Sequence, residues 1–135
     1  MKRLITSVMF LACIGNVSAN EADLEGAWQL VSGEYVNHQG ELVNYKDLRL
    51  NAIKVIAGGH FSFVTKSGDK FWSSGAGTFR ATETEYTEMP IHTSYQLAKG
   101  TEYVFQYQIE GNTLTSKRIE NGKQVELEVW KRIGN

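Results

Sequence analysis

Short β-rich runs about ten residues apart, each closed by a turn containing glycine, constrain this chain more than any other feature. The turns read Asn37-His38-Gln39-Gly40, Ala57-Gly58-Gly59, Ser67-Gly68-Asp69, Lys99-Gly100, Glu110-Gly111-Asn112 and Glu120-Asn121-Gly122. Between them side chains alternate with period two. Tyr103, Phe105, Tyr107 and Ile109 share one face, with Glu102, Val104, Gln106 and Gln108 opposite. Val125, Leu127 and Val129 alternate in the same way with Glu126, Glu128 and Trp130. The strand-forming runs are 27–36, 48–57, 60–65, 77–81, 85–88, 91–97, 101–109, 113–119 and the last run around Leu127. No helical period of useful length follows Ala19. The pattern predicts an all-β, single antiparallel up-and-down barrel of about eight strands, since closing a meander removes its exposed edges. Pro90 alone threatens a strand, and it predicts an edge or a bulge there.

A chain of 135 residues is one domain's worth, and 14 Lys and Arg against 15 Asp and Glu exclude a nucleic-acid binder held by a basic field. A single cysteine excludes an intramolecular disulfide framework and a Cys-based zinc site. Residues 1–19 read as a signal peptide. Lys2 and Arg3 give the charged start, an uncharged and mostly apolar run follows, and Val17-Ser18-Ala19 supplies small cleavage residues. That run is short of the ~20 residues that span a bilayer, so no stable transmembrane anchor is expected. The barrel domain is then 20–135, free of cysteine and suited to a periplasmic or secreted life. A lipoprotein through Cys13, in Phe10-Leu11-Ala12-Cys13, is the lesser alternative.

Taken in order, Gly26-Ala27-Trp28-Gln29-Leu30-Val31-Ser32, Gly59-His60-Phe61-Ser62-Phe63, Gly75-Ala76-Gly77-Thr78-Phe79, Glu85-Tyr86-Thr87-Glu88 and Glu128-Val129-Trp130-Lys131-Arg132 cover most of the mature chain. This series resembles the calycin superfamily, in particular small bacterial secreted lipocalin-like domains. The resemblance implies a barrel whose early Trp28 packs under a late basic residue, Arg132 or Lys131, in a cation–π contact. The chain is shorter than most lipocalins and lacks their disulfide.

Aromatic positions are the best candidates for a site. Phe61, Phe63, Phe105 and Tyr107 form walls, Tyr86 and Tyr95 supply hydroxyls, and Trp28 closes one end. Of the three histidines, His38 lies in a turn, His60 opposes the Phe61/Phe63 face and is a rim candidate, and His92 lies opposite Ile91 and Tyr95. None has metal-ligand spacing, so neither a metal nor a cofactor is implied. Glu83 and Glu85 share a face at a separation within reach of carboxylate-pair chemistry, yet a solvated strand edge is the commoner reason for such glutamates. The expected function is an exported barrel that binds a small, mostly apolar molecule without catalysis. The alternatives are a periplasmic protein-binding module or inhibitor using Phe71 and Trp72, and, third, a small barrel enzyme using Glu85 or His60.

Overall fold

The computed structural model describes residues 20–134, so the expected signal peptide and Cys13 lie outside the described residues. A one-turn helix, α1 (Glu21–Leu24), precedes nine strands: β1 (Gly26–Val36), β2 (Leu42–Asn44), β3 (Leu50–Ala57), β4 (His60–Ser67), β5 (Lys70–Ala81), β6 (Glu85–Thr93), β7 (Tyr103–Glu110), β8 (Thr113–Glu120) and β9 (Lys123–Ile133). From β3 to β9 each strand pairs antiparallel with the next, and β1 pairs with both β3 and β9. Eight strands therefore close an up-and-down ring, and the short β2 is a flap on the far end of β1. Neither β2 nor α1 was legible in the period-two pattern. Asn20 starts α1 by accepting from the amides of Ala22 and Asp23, while the Asp23 carboxylate accepts from the Asn20 amide.

Four bulges shape the ring. Val31 is the extra residue on β1 against β9, Trp72 on β5 against β4, Ile91 on β6 against β5, and Val125 on β9 against β8. Each one shifts the alternation by one residue and so exchanges the inward and outward faces beyond it. At the Ile91 bulge the Met89 carbonyl oxygen lies 2.1 Å from where a Cβ on Gly77 would sit, so only glycine admits the kinked neighbour. The expected pair of strands at 85–88 and 91–97 is consequently one strand, with Pro90 inside it. Pro90 is tolerated because β6 pairs with β7 only over Glu85–Glu88, and its missing N–H leaves no β7 acceptor unmatched.

Strand β5 is also longer than expected, beginning at Lys70 rather than 77. The register divides the interior in two. Trp28, Ile56, Phe61, Phe79 and Leu114 pack with Leu24 of α1 as a dry core at one end. The opposite end, bounded by Leu50, Thr65 and Trp72, is open.

Candidate functional site

The closed end is held by Trp28. Its indole is fully buried, its Nε1 donates to the Leu24 carbonyl at 2.8 Å, and the Arg132 guanidinium lies 4.2 Å from the ring centroid. Arg132 also donates to the carbonyls of Asp23, at 2.8 Å, and Glu25. The guanidinium thus ties α1 to β9 across the Trp face.

At the other end lies a cavity of about 410 Å³, within the usual size for a small-ligand site. Its apolar walls include Leu30, Leu50, Phe63, Phe105 and Trp130. Trp72 and Tyr95 stand at its mouth, 50% and 37% exposed. The bulge at Trp72 turns that indole to the rim, whereas Phe71 beside it is exposed and does not line the cavity. Tyr45 folds over Gly33 of β1, where any Cβ would collide with its ring at 2.4 Å, and reaches Glu126 through its hydroxyl.

Of the aromatic positions singled out from the sequence, Phe63, Tyr95 and Phe105 line this cavity. Phe61, Tyr86 and Tyr107 are buried in the core beside it, and Trp28 is at the far end. Tyr86 donates to Glu88 at 2.9 Å and Tyr107 to the Thr82 carbonyl at 2.7 Å, so both hydroxyls are engaged within the protein. His60 points outward, with Nδ1 2.8 Å from the Gly58 carbonyl oxygen. Glu83 and Glu85 are exposed, and neither they nor His60 reach the cavity.

Sequence reasoning missed the polar half of the cavity. Lys54 of β3 is 6% exposed and its Nζ lies 2.6 Å from Glu88 Oε1. The rings of Trp130, Tyr86 and Phe105 surround that ammonium at 5.0, 5.7 and 5.8 Å. Burial opposes the Lys54 charge, but Glu88 and then Glu128 outweigh it and raise its pKa. Arg118 of β8 donates through Nε to Glu126 at 2.9 Å and lies 5.3 Å from the centroid of Tyr103. Glu128 sits between these pairs, 8% exposed and with no salt bridge among the described residues.

Burial first, then the Glu126 charge, pushes Glu128 up from 4.5 to about 8, against the pull of Lys54. Folded protein therefore holds a proton that unfolded chain releases between these values. The associated stability is fully present below pH 4.5 and is lost as pH rises through about 8. Urea melts should show a decline of a few kcal/mol from pH 5 to 8.5. Glu128→Gln should flatten it, and equal slopes in both proteins would refute the assignment.

This barrel is of the calycin type, with a core at one end and a partly polar cavity at the other. The chain belongs to the family described as "Domain of unknown function (DUF4488)", which matches residues 23–135. It is also homologous to fatty acid-binding proteins. "Fatty acid-binding protein, intestinal" of Sus scrofa is 30% identical over 106 residues, covering 75% of this chain and 76% of the relative. The proteins of the same name from Mus musculus and Rattus norvegicus are 29% and 28% identical over the same shares. No solved structure matches significantly.

These relatives correct two expectations. The small bacterial secreted lipocalin-like domain is replaced by homology to fatty acid-binding proteins. The residues that suggested the former, Gly26-Ala27-Trp28 and Arg132, serve to close a barrel end and do not separate one kind of plugged barrel from another. The periplasmic or secreted location, with its lipoprotein variant through Cys13, falls with it, because the matched proteins are named for mammalian intestine and not for a bacterial envelope. Among the described residues no helix is long and apolar enough to cross a membrane, and no group of three His, Cys, Asp or Glu is placed to hold a metal ion.

Proposed function

We propose that the protein binds one small, mostly apolar amphiphile in the open half of its barrel and leaves it chemically unchanged. The observation that carries this reading is the cavity itself, with Phe63, Phe105 and Leu30 on its walls and an aromatic mouth at Trp72 and Tyr95. Relatives named for binding fatty acids support it. A carrier needs apolar area and an opening more than it needs a reactive group. Trp72, raised from sequence as a protein-contact residue, is accounted for as part of the mouth.

Fluorescence titration with 1-aminoanthracene tests the proposal, with one site per chain expected. Removing about 50 Å² of ring contact at about 25 cal/mol per Å² costs about 1.3 kcal/mol, close to tenfold in affinity. Phe63→Ala should therefore bind the probe about tenfold more weakly, and Phe105→Ala should weaken it in the same direction. His60→Ala, altered on the outer face, should bind as the parent does. Loss of binding in His60→Ala with retention in Phe63→Ala would sink the reading.

A further inference from the structure

Resting on the carrier reading, we infer that the cavity selects an amphiphile with an uncharged head that both donates and accepts a hydrogen bond, such as a primary alcohol or amide, over one ending in a carboxylate. A carboxylate head needs a cation with free donors. Both cations facing the cavity are already committed, Lys54 to Glu88 at 2.6 Å and Arg118 to Glu126 at 2.9 Å. Arg118 is paired with Glu120 as well. Glu88 and Glu126 thus balance the two positive charges, and the buried Glu128 beside them comes with no third cation. A carboxylate ligand would add an uncompensated negative charge in a space largely removed from water, where like charges repel most strongly.

A second observation points to the head that does fit. Trp130 lines the cavity at 3% exposure, and its Nε1 is buried without a hydrogen-bond partner. An unsatisfied buried donor is costly to leave unmade, so a ligand head that moves the surrounding side chains enough to accept from it would be stabilising. Trp130 and Glu128 are successive inward positions of β9, roughly 7 Å apart along the strand. A hydroxyl between them accepts from Trp130 Nε1–H and donates to a carboxyl oxygen of Glu128. An ammonium would serve only the carboxyls, because it has no lone pair to offer the indole.

The test is displacement of 1-aminoanthracene from the full chain at pH 7 by decan-1-ol, decanoate and decylamine, which share one alkyl length. Decan-1-ol should displace at a concentration at least tenfold below that of decanoate, with decylamine between or weaker. Trp130→Phe, which removes the donor together with part of the ring, should weaken decan-1-ol about fivefold more than it weakens the probe. Glu126→Gln, which leaves Arg118 with only the exposed Glu120 as a carboxylate partner, should tighten decanoate at least fivefold and leave decan-1-ol within about twofold. Decanoate matching or exceeding decan-1-ol on the parent protein overturns the inference and leaves the carrier reading standing. Decylamine binding tightest overturns the uncharged head. Failure of the probe and all three competitors to bind overturns the carrier reading and this inference together.

Discussion

Trp28→Ala is expected to lower stability by about 3–5 kcal/mol in urea melts at pH 7, the usual range for truncating a fully buried aromatic ring. The indole has no solvent exposure, and its loss removes more than packing area. The Leu24 carbonyl loses the Nε1 donor at 2.8 Å, and Arg132 loses the ring face 4.2 Å away. Since α1 is only one turn long, its hold on the barrel comes from Leu24, Trp28 and the Arg132 contacts with the Asp23 and Glu25 carbonyls. The variant should therefore also expose the segment before Gly26 to proteolysis. A loss below about 1 kcal/mol would mean that the ring does not close the barrel.

How much of this was legible follows from where the alternation runs undisturbed. On β7 and β4, Tyr103, Phe105, Tyr107, Phe61 and Phe63 point inward as period two dictates, because neither strand carries an extra residue at those positions. On β9 the pattern misleads. Counted back from the Asn121-Gly122 turn without interruption, Arg118 would face Val125, and the inward set would be Val125, Leu127 and Val129. The bulge at Val125 pairs Arg118 with Glu126 instead, and brings Glu128 and Trp130 inside. One inserted residue thus replaces an apolar wall with the acidic side of the cavity.

Strand β3 fails for another reason. Its apolar residues occupy both faces, so Ile53 and Val55 look as suited to the interior as Ala52 and Ile56. The hairpin register held the missing signal. Across the Gly58-Gly59 turn Ile56 pairs with Phe61 and Lys54 with Phe63, so an inward Phe63 requires an inward Lys54. Composition could not supply that step, because a buried lysine is an exception that only a partner such as Glu88 explains.

That partnership sets the other large effect. Lys54→Met is expected to destabilise the protein by about 3–5 kcal/mol, because it strands Glu88 in a buried site with only the Tyr86 hydroxyl as a donor. Methionine fills much of the volume of the lysine stem, so the loss comes mainly from charge and not from a cavity. The pair itself contributes far less than this figure suggests, since bringing both ions out of water offsets much of their attraction. Adding Glu88→Gln to Lys54→Met removes the stranded charge while keeping an acceptor for Tyr86. The double variant should therefore recover most of the loss and lie within about 1–2 kcal/mol of the parent, with a clearly non-additive coupling between the sites. If the double variant were as unstable as the sum of the two single variants, Lys54 and Glu88 would be acting independently, and the 2.6 Å contact would not be the reason a lysine is retained inside this barrel.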